Sequence, residues 1–259
     1  YAYVAYRTAW LKIHYPAEFM SANLTSEMSN IDRVVILINE CRKLKIDVDP
    51  PDVNISGTNF RPVDNKTISF GLNAIKNVGS KALDQIVEAR GKHGKFESLF
   101  DFTANVSLKS VNRKVLESMN MAGALDGLEG NRAQKFAVIE TALKYGQTIQ
   151  ENKARNQVDL FGASSANGKD ISMVPSLPQE EEWSESQLLE NEKEVLGMYL
   201  SGHPLLKYAE DLEEFSNFDF TEKVEHRNGN RVRVGGAISD VKMHFDRKNN
   251  QMAFFKLDC

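Results

Sequence analysis

Lys76, Asn77, Val78, Gly79, Ser80 and Lys81 form one run in which an apolar residue is flanked by turn formers and cations. The chemistry suited to such a run is electrostatic. A glycine able to take φ > 0 lets a short turn aim successive backbone N–H groups outward at the start of a helix. A phosphate oxygen suits that nest, with Lys76 and Lys81 supplying charge and Ser80 placed to cap the helix. No other constellation carries chemistry. Asp49, Asp52 and Asp64 fall in expected turns at no ligand-like spacing, and His203 stands alone beside Pro204, so the expected catalytic and metal-binding residues are none.

Helices must hold this run from both sides. Phe70 to Gly91 reads as a helix-like segment ending at Ala74 and Ile75, a tight hairpin, and a second helix with Ala82, Leu83, Ile86 and Val87 on one side. The order resembles the helix-hairpin-helix module, which holds nucleic-acid backbones without reading bases; an ordinary helical hairpin closed by a glycine turn has the same pattern. Further on, Val111 to Met119 carries Val115, Leu116 and Met119 inward and Asn112, Arg113 and Lys114 outward, and the turn Asn120 to Ala124 is a degenerate echo of Lys76 to Ser80. Arg113 and Lys114 therefore join the candidate phosphate contacts, with a purely structural second hairpin as the alternative.

The chain has 259 residues, enough for two or more cores, and its 41% apolar and 26% charged content is that of a soluble globular protein. No apolar run approaches the roughly 20 residues that cross a bilayer. Two cysteines, Cys41 and Cys259, make no disulfide framework or zinc spacing, so a reducing, cytoplasmic setting is expected. Without an initiator Met or signal peptide, the sequence reads as a fragment of something longer. The net charge of -4 requires any nucleic-acid contact to be local. Between Phe70 and Leu116 eight Lys and Arg residues face four carboxylates, whereas Glu180 to Glu194 sets seven glutamates against Lys193.

The remaining segments read in order. A helix over 1 to 14 is closed by Tyr15-Pro16, and Pro16 opens a second with Phe19, Met20, Leu24 and Met28 on one side. A third carries Val34, Leu37, Ile38, Cys41 and Leu44 at helical spacing; plain core packing is expected of all three. Strand-like pieces at Phe60 to Val63 and Thr67 to Phe70 flank the turn pair Asp64-Asn65. Asn131 starts a helix that fades after Gln147, and Ser186 to Leu200 is helical again. Arg231 to Cys259 alternates as two or three antiparallel strands around a charged turn, Asp246 to Asn250, which is how an OB barrel begins.

Several segments, in shared order and spacing, resemble the C-terminal part of the bacterial DNA polymerase III alpha family, the replicative C-family DNA polymerases. They include Tyr6 to Lys12 with His14 to Met20, Pro50 to Asn54, Gly71 to Gly79, Asn112 to Glu117, Ala122 to Asp126 and Glu194 to Leu205. The resemblance implies a mainly α fold with a small β part: the end of a fingers domain (1–54), a tandem helix-hairpin-helix domain (55–156), a clamp-binding peptide (157–161), a linker (162–182), a helical connector (183–228) and the truncated start of an OB domain (229–259). In the family a peptide Gln-x-Asp/Ser-Leu-Phe grips the sliding clamp, and Gln157, Asp159, Leu160 and Phe161 match it around Val158. Leu160 and Phe161 would enter an apolar pocket as anchors of roughly 2 kcal/mol or more each.

The resemblance also implies part of a DNA-directed DNA polymerase, a nucleotidyltransferase in which a primer 3′-hydroxyl attacks a deoxynucleoside triphosphate with magnesium held on palm carboxylates that are not in this chain. The fragment alone is expected to be inactive. Partners implied are double-stranded primer-template DNA, the sliding clamp, single-stranded template at the OB domain and other replisome subunits, with no membrane. A non-enzymatic helix-hairpin-helix scaffold and an error-prone paralogue are the alternatives.

Overall fold

A computed structural model describes residues 1–154, 174–202, 204–217, 231–247 and 249–258. The fold is mainly α with small sheets, as expected, and contacts divide it into two compact units, Tyr1–Leu200 and Ser201–Cys259. In the first, α1 (Ala2–His14) breaks at Tyr15, and Pro16 takes the first position of α2 (Pro16–Ser26), where its missing N–H costs nothing. Asn30 caps α3 (Ile31–Lys43) by accepting from the Arg33 amide at 3.3 Å. Met20, Leu24, Val34, Ile38 and Cys41 are buried together, and burial pushes the Cys41 thiol up to about 11. Core packing fails for α1, which has no buried residue; Lys12 ties it to Glu40 of α3 at 2.7 Å.

The expected β-hairpin is present and joins a third strand. β1 (Asp47–Asp49) pairs in parallel with β3 (Thr67–Ser69), which pairs antiparallel with β2 (Arg61–Pro62). Pro62 lies on an edge strand, where a missing donor is tolerated, and Ile68 of the central strand is fully buried. Asp49 belongs to β1, which corrects its reading as a turn residue. Asp52 and Asp64 do sit in turns, their carboxylates accepting from the amides of Asn54 and Lys66.

A helical layer completes the unit: α4 (Ser80–His93), α5 (Leu99–Asn105), α6 (Arg113–Met121), α7 (Arg132–Ala137), α8 (Ile139–Ala154) and α9 (Glu185–Leu196). Serine and asparagine caps start most of them: Ser98, Asn112, Asn131 and Ser184 each accept from an amide three residues on. The expected helix from Asn131 begins there, closed by a capping box with Gln134, but breaks at Val138, and α8 runs on to Ala154 without fading. α5 and α8 approach closely because Gly146 faces the Thr103 backbone, whose hydroxyl donates to Ala142 O at 2.8 Å.

Residues 174–182, expected to be linker, lie pinned on α7. Asn131 Nδ2 donates to Glu180 O and Gln134 Nε2 to Pro178 O, both at 2.9 Å, while the amides of Arg132 and Ala133 donate to the Glu182 carboxylate at 2.9 and 3.0 Å. Trp183 then packs edge-on against Phe136 with ring centroids 5.3 Å apart. α9 is part of the core: Val195 and Leu196 are buried, and it ends at Gly197 in the left-handed region, short of the expected Leu200.

The second unit holds a 3-10 turn (Pro204–Tyr208), α10 (Ala209–Phe215) and a two-stranded ribbon, β4 (Ala237–Phe245) with β5 (Gln251–Asp258). The charged turn is where the alternation placed it, closed by Asp246 N donating to Asn250 O at 2.9 Å. Val241 pairs with Phe255 and Met243 with Ala253 on one face, and Val241, Met243, Phe245 and Phe255 are more than half exposed. Among the described residues no helix is long and apolar enough to cross a membrane.

Burial opposes the charge on Glu182, but the amides of Arg132, Trp183 and Ala133 outweigh it and hold the carboxyl below its ordinary 4.5. Its contribution to stability is therefore complete above pH 4.5 and lost as pH falls through the depressed value. Trp183 fluorescence followed in an acid titration should report release of this segment below pH 4.5, and Glu182→Gln, which has no carboxyl to protonate, should remove that pH dependence.

Candidate nucleic-acid interface

The candidate run is built from the core outward. A 3-10 turn, Leu72–Ala74, stands in place of a full helix before it, and Ile75 is buried at its end. The Lys76 amide donates to Val195 O at the end of α9 at 2.9 Å, so the hairpin is fastened at its first residue. Asn77 takes φ 67, a left-handed conformation that asparagine tolerates better than most side chains. Val78 is then driven into the core, only 4% exposed, with its amide on Ile75 O at 3.2 Å.

With the apolar anchor buried, the next three residues face solvent. Gly79, Ser80 and Lys81 are exposed at the N-terminus of α4, and their amides have no acceptor among the described residues. Gly79 O accepts from Ala82 and Leu83 at 3.0 and 3.3 Å, which aims the helix dipole's positive end at the same spot. Lys76 and Lys81 are exposed beside it.

Two expectations about this turn are corrected. Gly79 has φ -86, not a positive value, because Asn77 makes the left-handed reversal two residues earlier. Ser80 does not cap; Gly79 is the N-cap, Ser80 is the first helical residue, and no side chain bonds the helix start. The free amides follow from that uncapped start.

The echo at Asn120 to Ala124 is not a second nest. Ala122, Gly123 and Ala124 are buried, and their amides donate to Ser118, Asn120 and Met119 carbonyls at 3.0, 3.1 and 2.9 Å. The chain there is the close of α6, whose last carbonyls recapture those donors. Arg113 is also compromised: its guanidinium bonds Glu117 at 2.6 Å and Glu140, and these carboxylates, Glu117 first, raise its pKa. Lys114 is exposed with no partner among the described residues.

Three features here were not legible beforehand. The Asn77 carboxamide donates to Ser118 Oγ of α6 at 3.0 Å. Ser118 lies one turn along α6 from Lys114, so this bond sets the hairpin beside the face that carries Lys114. Arg132, mostly buried, joins Asp126 through two parallel bonds and buried Glu192 of α9 at 3.0 Å; burial works against its charge but the two carboxylates prevail and raise its pKa. Buried Lys135 closes the same region by donating to Gly130 O at 2.7 Å. The candidate clamp residues Gln157, Asp159, Leu160 and Phe161 lie outside the described residues.

A Cβ at Gly79 would meet nothing within 4 Å, and its backbone is one that any residue adopts. Gly79→Val should leave the thermal unfolding midpoint within about 2 °C of the parent chain, equivalent to less than about 0.5 kcal/mol.

Residues 45–135 match the family model for the helix-hairpin-helix motif. Along its whole length the chain is 37% identical to the DNA polymerase III subunit alpha of Vibrio cholerae, 38% identical to that of Pasteurella multocida and 35% to that of Escherichia coli strain K12. The chain spans 22% of the length of each of these relatives. Through all of its 259 residues it is thus a homologue of a stretch of the bacterial DNA polymerase III alpha subunit, with a helix-hairpin-helix unit at its centre.

Proposed function

We propose that this chain is the part of a replicative polymerase alpha subunit that holds duplex DNA by its sugar-phosphate backbone while the polymerising reaction proceeds elsewhere in the protein. The observation that carries the reading is the set of three solvent-facing amides, Gly79, Ser80 and Lys81, at an uncapped helix start within a matched helix-hairpin-helix unit. A phosphate oxygen there accepts from fixed backbone donors, and Lys76, Lys81 and Lys114 add charge without reading base edges.

The second proposed contact is a sliding clamp gripped by Gln157 to Phe161. Residues 174–182, which follow it in the sequence, are pinned onto α7. In the proposed alpha subunit, magnesium and the carboxylates that hold it belong to other segments. Among the described residues no three His, Cys, Asp or Glu side chains converge on one point. The exposed β4–β5 ribbon is a proposed contact for single-stranded template.

Fluorescence anisotropy with a labelled duplex tests the first contact. Lys81→Gln should weaken binding alike for unrelated sequences and lower the slope of log affinity against log salt by about one. Gly79→Val, which covers the amides, should weaken it by about tenfold or more, the order of one lost charge-assisted bond. Unchanged affinity and slope in both would contradict the reading. For the second contact, Leu160→Ala with Phe161→Ala should abolish capture of a sliding clamp in a pull-down and leave duplex affinity unchanged.

A further inference from the structure

We propose that Asn77 is a positioning residue for the DNA grip: through its bond to Ser118 it locks the free amides of α4 to α6, so that the two helices meet a backbone as one rigid surface. The proposal rests on the reading of Gly79 to Lys81 as that grip. Three observations carry it. Asn77 holds the left-handed conformation that turns the chain out of the core ahead of Val78. Its Nδ2 donates to Ser118 Oγ at 3.0 Å, and Ser118 is only 3% exposed, so the acceptor is itself fixed by packing. The preceding amide, Lys76, is fastened to Val195 O, leaving the hairpin bolted at two adjacent residues to two different helices.

The role of such a bolt is entropic. A phosphate contact at Lys81 and another at Lys114 reinforce each other only if the spacing between them is held before binding. The Asn77 Nδ2 is engaged by Ser118, which assigns the side chain to orienting the turn. A glycine at this position would keep the backbone shape and remove the bolt.

The test uses the full chain and a labelled duplex oligonucleotide at several salt concentrations, with thermal unfolding as a control for folding. Asn77→Gly and Ser118→Ala should each weaken binding by about three- to tenfold, the scale of one hydrogen bond. Neither should change the salt slope, because no phosphate contact is lost, whereas Lys81→Gln lowers it by about one. The double variant should bind no more weakly than the weaker single, since both changes remove the same bond. A slope lowered by about one in Asn77→Gly would make Asn77 a direct contact and overturn the proposal. So would losses that multiply in the double variant, or affinity unchanged in both singles while Lys81→Gln is impaired. If Lys81→Gln binds as the parent chain does, the failure belongs to the DNA-grip reading itself.

Discussion

An α-helix leaves the first amides of its backbone without internal acceptors, and a protein must cap them, bury them at a cost, or lend them to a ligand. At the starts of α3, α5, α6, α7 and α9 a side chain of Ser or Asn does the capping. At α4 none does. Val78 is buried and Asn77 and Lys76 are fastened to α6 and α9, so the uncapped start is held rigidly at the surface instead of fraying. The proposed duplex contact follows from that helix end.

The rest of the first unit serves to keep that end in place. α9, which sequence composition presents as a strongly acidic strip, reaches into the core through Val195 and Leu196, and its final carbonyls meet the hairpin. Glu192 is buried because Arg132 and the Leu200 amide both donate to it, and breaking such a buried pair typically costs about 3–5 kcal/mol. The other glutamates of the strip are exposed to solvent.

Much of this was legible in the sequence where the determining forces are local. The spacing of Val34, Ile38 and Cys41 gave α3, Pro16 the start of α2, Asn131 the start of α7, and Asp64-Asn65 the turn of the small hairpin. Non-local forces explain what was missed. β1 has three residues and exists only because β3 offers it an edge. Asn77 instead of Gly79 took the reversal because a partner 41 residues away holds its side chain. The turn at Asn120 to Ala124 shares composition with the candidate hairpin, but it closes α6 where the other opens α4. Spacing cannot tell an opening from a closing. Core packing was expected of α1 as of α2 and α3, yet Tyr3, Tyr6 and Ile13 are more than 60% exposed.

The most direct measurement is a titration of the isotope-labelled chain with a short duplex oligonucleotide, following backbone amide resonances. The account predicts that Gly79, Ser80 and Lys81 shift downfield together and become protected from exchange, as amides that gain an anionic acceptor do, while Ala122, Gly123 and Ala124 stay unchanged. Binding with those three resonances unmoved, or with the largest shifts at the closed turn of α6, would contradict it.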